Sequence, residues 1–288
     1  MLAVLSLFCL LIVAASLAGG ALPAVVRLTH LRLQLMISFV GGLMLGVALF
    51  QMVPHAIREL QTDRASTLGV SMFLGLATMF MLLRMFHFHH HDTTGVEEGD
   101  AHGHHHDHDH DCDHHGPAIA ASRMSGLGVF IGLALHTLID GVALAAAVEA
   151  AAAERSSPGW LAIATAAAGT FLAILLHKPL DAVSITSLMS AGGWSGRGRL
   201  MVNLAFSLMC PLGAAVYAIG ANSLPLDPRL VTGSALAFSA GVFLCISLSD
   251  LLPEIEFHSH NRIGLTVSLV AGVGLSYLIS FLEAGHLH

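Results

Sequence analysis

Residues 125–149 read SGLGVFIGLALHTLIDGVALAAAVE, twenty-five residues with a histidine and an aspartate near the centre and an acidic residue only at the far end. A hydrophobic run of this length matches the hydrocarbon thickness of a bilayer when coiled into a helix. His136 and Asp140 stand four residues apart, so a helix places them on one face, one above the other. A second long run, 159–190, carries the same spacing in His177-Lys178-Pro179-Leu180-Asp181. Ionisable groups at membrane depth are costly and mark ion pathways when they occur. Two such pairs at similar depth, on separate helices, are more specific than either alone. A single pair could be an internally hydrogen-bonded His–Asp; two can surround one cation.

The rest of the chain has the same character. Of its 288 residues, 55% are hydrophobic and 11% charged, with a mean hydropathy of +0.75. Soluble domains carry about a quarter charged residues. Apolar stretches run over 2–22, 34–57, 67–86, 125–149, 159–190, 200–220, 230–253 and 263–283. All lack the short alternation of barrel strands, so the expected fold is an all-α membrane protein, an eight-transmembrane-helix bundle. The first run has no basic segment ahead of it and is expected to be a helix rather than a cleaved leader. Pro179 predicts a kink in the fifth, because it frees the carbonyl one turn earlier, at Leu175.

With both termini outside, the cytoplasmic connections hold Arg27, Arg32, Arg84, Arg123, Arg197, Arg199 and Arg262, against Arg58, Arg64, Arg155 and Arg229 on the other side. The excess of basic residues inside favours this orientation. Twelve Lys and Arg residues in all, scattered, exclude a nucleic-acid-binding face. Cys9, Cys112, Cys210 and Cys245 have no CxxC spacing and give neither a disulfide framework nor a thiolate metal site.

The membrane domain divides into 1–86, with the first three helices, and 117–288, with the other five. Between them, 87–116 holds 12 of the 20 histidines and eight acidic residues. Such composition cannot build a core and is expected to be disordered and cytoplasmic. Its densest part, His104, His105, His106, His108 and His110, is suited to weak metal buffering.

His136, Asp140, His177 and Asp181 are the expected metal ligands: imidazole nitrogens and carboxylate oxygens suit Zn²⁺ and also Fe²⁺, Mn²⁺ and Cd²⁺. Lys178, beside His177 and too deep to reach the interface, is expected to pair with a carboxylate and to fill the position of a second cation. Gln51 and His55 at the end of the second helix are candidate entry residues. Asp250 and Glu254 at the end of the seventh, with His258 and His260 beyond, are candidate exit residues. Gly141 is expected to allow close helix approach. Asn203 and Ser207 are read as bonds between helices.

In order along the chain, these features resemble the ZIP (Zrt/Irt-like) family of divalent metal transporters. Gly41-Gly42 through Pro54-His55 looks like the family's glycine-rich second helix. His136-Thr137-Leu138-Ile139-Asp140-Gly141 is similar to its HNxxDG motif, and His177-Lys178-Pro179-Leu180-Asp181 to HExPxE. The stretch from Gly241 to Glu254 resembles GxFLYxxxxDLLPE. The resemblance implies eight helices with termini outside and uptake of Zn²⁺ or related ions through a site on helices four and five. Thr137 for Asn and Lys178 for Glu depart from the pattern, and the second of two adjacent metals is then not expected. The implied partners are divalent ions and the bilayer, with a homodimer allowed, in a plasma membrane and preferably a bacterial inner one. No organic cofactor or nucleotide-binding motif is indicated, and the reading is a carrier, not an enzyme. Three alternatives fit less well: a ceramidase-like intramembrane zinc hydrolase, for which no serine is well placed; a cation-diffusion-facilitator exporter, which has about six spans and a soluble domain; and a sensor that binds metal without moving it.

Overall fold

The computed structural model describes residues 1–22, 30–61, 64–86, 118–153, 159–223, 225–257 and 262–285. The histidine-rich segment, His258 and His260 lie outside these residues. Helices account for nearly all of the described chain, with no strand among the described residues: α1 (Leu2–Ala21), α2 (His30–Val47), α3 (Val53–Leu60), α4 (Ala65–Phe86), α5 (Ala118–Ala153), α6 (Trp160–Ala166), α7 (Ala168–Ala191), α8 (Gly196–Ser207), α9 (Met209–Ser223), α10 (Pro228–Phe257) and α11 (Arg262–Gly285). Together they supply eight segments long and apolar enough to cross a bilayer, beginning with Leu2–Ala21 and ending with Arg262–Phe281. Two of these segments join consecutive helices. α2 and α3 form one span through a π-helical turn at Ala48–Met52, and α8 and α9 form another.

The π turn lies just ahead of Pro54, whose ring would crowd the carbonyl of Phe50 in a regular α-helix. Widening the turn relieves that conflict and turns Gln51 into the interior, where it is buried. The fifth apolar run also carries a break of its own. Its helix breaks at Ala167, with φ −98° and ψ 4°, while Pro179 sits inside the continuous α7. Gly19 of α1 packs directly on the backbone of Pro179, where a Cβ would clash.

α5 is longer than the expected run. Its 36 residues span about 54 Å at 1.5 Å per residue, well beyond a hydrocarbon core of about 30 Å.

Close packing follows from small residues. α2 pairs with α11, α4 with α10, α5 with α9, and α1 with α7. In the first three pairs the contact is reciprocal. Gly42 faces Leu269 O and Gly272 faces Phe39 O; Gly75 faces Phe238 O and Gly241 faces Met72 O; Gly141 faces Cys210 O and Gly213 faces Leu138 O. At each of these positions a Cβ would collide with backbone. Lipid is as apolar as leucine, so helix association in a membrane depends on such close backbone approach rather than on a hydrophobic drive. The expectation for Gly141 therefore holds, and five further glycines share its role.

The α5–α9 contact is the one that bears on function, because Gly141 follows Asp140 directly. Gly213→Ala, which places a Cβ on Leu138 O, is expected to destabilise the protein by roughly 1–3 kcal/mol. Gly69→Ala, where nothing lies within 4 Å, should stay within about 0.5 kcal/mol of wild type. Thermal melting in detergent of the two variants side by side measures the difference.

Candidate metal site

α5 and α7 pack against one another in the centre of the bundle and bring the two sequence motifs together. His136, Asp140, His177 and Lys178 are all buried, with Asp140 fully so. The imidazole rings of His136 and His177 lie 5.4 Å apart, tilted by 30°. Both point a nitrogen at the same oxygen. Nε2 of His136 is 3.4 Å from Asp140 Oδ2, and Nε2 of His177 is 3.2 Å from it.

The tautomer of His177 can be assigned from its surroundings. Nδ1 lies 2.7 Å from Ala173 O, and a carbonyl can only accept, so Nδ1 carries a proton and donates it. Nε2 of the neutral ring then presents its lone pair to Asp140 Oδ2. Two lone pairs facing each other at 3.2 Å require a proton or a metal between them. An imidazole whose second nitrogen donates to a backbone carbonyl is the usual arrangement of a metal-ligating histidine. The separations fit as well: bonds of about 2.0–2.2 Å in a tetrahedron put neighbouring ligand atoms about 3.3–3.6 Å apart. One ligand atom each from His136, Asp140 and His177 lies within 4.8 Å of the others. Such a cluster fits one divalent cation.

Asp181 stands differently. It is partly exposed, and its Oδ2 is 3.8 Å from His177 Nε2 but 3.0 Å from Lys178 Nζ. The four expected ligands thus separate into three that converge and a fourth engaged mainly by the lysine. Lys178 is the connecting group. Its ammonium contacts Asp140 Oδ2, Asp181 Oδ2 and, at 3.1 Å, Thr137 Oγ1. Thr137 in turn donates to Leu133 O at 2.8 Å, which leaves its oxygen lone pairs toward Lys178. Nζ also lies 5.7 Å above the ring of Phe206, where the aromatic face favours a cation. The two positions that depart from the motifs are therefore in contact, and Thr137 accepts a hydrogen bond from Lys178. Motif spacing alone gave no sign of this pairing, because the residues are 41 apart in sequence.

Unpaired atoms remain. Asp140 Oδ1 and His136 Nδ1 are buried without a hydrogen-bond partner. In low dielectric such groups carry a large desolvation cost unless something satisfies them. They are the far atoms of two of the three converging residues; Ser16 Oγ, Asn203 Oδ1 and Ser239 Oγ are also buried without a partner elsewhere among the described residues.

A family model for ZIP zinc transporters matches residues 2–280, nearly the whole chain. The chain belongs to the ZIP zinc transporter family. Its members transport divalent metal ions, and the His/Asp cluster between α5 and α7 is in keeping with that activity.

The remaining sequence candidates are placed unevenly. Gln51 is buried at the π turn, packs against Gly169 of α7 and donates from Nε2 to Ser276 O at 3.4 Å. One turn later the ring of His55 donates from Nδ1 to Gln51 O at 2.7 Å, the same local geometry as His177. Asp250 and Glu254 lie within α10, their side chains outside the description. Asn203 makes the expected bond between helices, from Nδ2 to Leu17 O of α1. Ser207 does not: its hydroxyl bonds Leu204 O of its own helix, as short hydroxyl side chains in helices commonly do.

Convergence on Asp140 sets an order of importance. Asp140→Asn is expected to weaken Zn²⁺ binding by about 100-fold or more, and Asp181→Asn by about tenfold, since both imidazoles face Asp140 whereas Asp181 is shared with Lys178. Affinity should also fall as the pH is lowered, because imidazole must be unprotonated to ligate. Titration calorimetry on a protein lacking 87–116 measures both effects without interference from the histidine-rich segment.

Proposed function

We propose that the protein carries Zn²⁺ into the cytoplasm, one ion at a time, through a midplane site in which His136, Asp140 and His177 are ligands and Asp181, shared with Lys178, is a weaker fourth. The observation that carries this reading is the convergence of two imidazole nitrogens from separate helices on one buried carboxylate oxygen. The donor set of nitrogen and oxygen suits zinc, and accommodates Fe²⁺, Mn²⁺ and Cd²⁺. An ammonium beside the site argues for one ion rather than two. At a separation of about 4 Å and an effective dielectric of about 20, it repels a dication by about 8 kcal/mol.

Inward movement is what the family resemblance implies; which residues lie on the outer side rests on the orientation with both termini outside, which the distribution of arginines favours. On that orientation Gln51 and His55 stand on the outer side of the site, as entry residues. Asp250 and Glu254 stand on the inner side with His258 and His260, toward the histidine-rich segment. That segment buffers metal at the cytoplasmic surface, with His104, His105, His106, His108 and His110 at its centre. Alternating exposure of a midplane site is the general solution for carriers of this size.

Purified protein in liposomes should take up radioactive zinc in a saturable, time-dependent manner, without hydrolysing lipid. Asp140→Ala should reduce the rate by about 100-fold or more, at or above the roughly 10–100-fold cost of losing an outer-shell partner of a metal ligand. Deleting 87–116 should leave the rate within a few-fold of the intact protein. Equal flux in wild type and Asp140→Ala would contradict the reading.

A further inference from the structure

Asp140 Oδ2 is claimed twice. It is the oxygen that both imidazoles face at 3.2 and 3.4 Å, and it is also the oxygen that Lys178 Nζ contacts. A dication held between the two rings and an ammonium on the same oxygen exclude each other by charge and by space. The ammonium has somewhere else to go. Asp181 Oδ2 accepts from it at 3.0 Å and Thr137 Oγ1 at 3.1 Å, so release of Asp140 leaves two of its hydrogen bonds in place. The groups around it belong to three helices: Thr137 and Asp140 on α5, His177 and Asp181 on α7, and Phe206 on α8.

We propose that Lys178 is a tethered stand-in for the transported ion, holding Asp140 when metal is absent and ceding it to the arriving metal while keeping Asp181 and Thr137. The proposal rests on the transport reading above and adds to it a means of return. A carrier must reset with its site unloaded. A fully buried carboxylate such as Asp140, without a compensating cation, is costly to hold in, or move through, a low-dielectric interior. A lysine fixed to the same helix as Asp181 supplies the compensating charge in the unloaded protein without drawing on the solution. The resetting step then needs no second ion from either side. Thr137 is the positioning residue: its hydrogen bond to Leu133 O aims its lone pairs at Nζ and holds the ammonium within reach of Asp140.

The test separates the two halves of the cycle. Wild type, Lys178→Met and Lys178→Arg are reconstituted in liposomes and given radioactive Zn²⁺ outside. Net uptake is measured into vesicles that contain no metal, and exchange into vesicles preloaded with unlabelled Zn²⁺. Only net uptake requires the unloaded carrier to return. The ratio of net uptake to exchange should fall about tenfold or more in Lys178→Met, and should fall much less in Lys178→Arg, which keeps the charge. An unchanged ratio in Lys178→Met overturns the proposal, whatever happens to the absolute rates. Absence of both modes in the wild type would instead overturn the transport reading itself. If Lys178→Met gives too little transport to measure, its melting temperature decides. The rise on adding Zn²⁺ should be larger than in wild type, because metal then supplies a charge that the lysine otherwise provides. An equal or smaller rise overturns the proposal.

Discussion

Everything at the centre of this protein is arranged around one buried carboxylate. Asp140 is fully enclosed in a helix bundle that sits in lipid, and an uncompensated charge there is not sustainable. Removing one partner of such a buried pair costs on the order of 3–5 kcal/mol. The neighbours of Asp140 are therefore not optional decoration. His177, its Nδ1 proton given to Ala173 O, turns a nitrogen lone pair toward Asp140 that a proton or a metal must bridge, and His136 points a second nitrogen at the same oxygen. Lys178 provides a cation outright. The site has to hold positive charge at all times, and the chemistry of transport follows from which positive charge it holds.

The helices that build the site are held by contacts of a different kind. Gly141 and Gly213 let α5 and α9 approach until backbone meets backbone, and Gly19 does the same for α1 against Pro179 in α7. Each contact lies on a helix that carries ligands. The approach of α9 to α5 is made next to Asp140, and that of α1 to α7 one residue from Lys178. Packing without large side chains thus fixes the position of the ligands where hydrophobic association offers little. Gln51 is placed by similar means, since Gly169 leaves room for its amide.

Much of this was legible in the sequence, and the reasons differ by element. The eight spans could be read because lipid imposes length and apolarity together, which few other environments do. The site could be read because polar groups are so unfavourable at that depth that four of them at matched spacing need a cause. The break at Ala167 could not be read, because alanine gives no local signal, while the stronger breaker, Pro179, lies inside the continuous α7. The π turn at Ala48–Met52 arises from a conflict between Pro54 and a carbonyl inside an otherwise regular run. The contact between Thr137 and Lys178 depends on the register of two helices, which no spacing within either one encodes. Without it, the two departures from the family motifs look independent; in the folded protein one holds the other.

The measurement that bears most directly on this account is X-ray absorption at the zinc edge, on purified protein lacking 87–116 and loaded with Zn²⁺. The account predicts two imidazole nitrogens with one or two carboxylate oxygens at about 2.0–2.2 Å, in four-coordinate geometry and without sulfur. It also predicts that this signature is lost in Asp140→Ala. Sulfur ligands at about 2.3 Å would place the ion on cysteines. That result, or a signature unchanged by Asp140→Ala, would contradict the account.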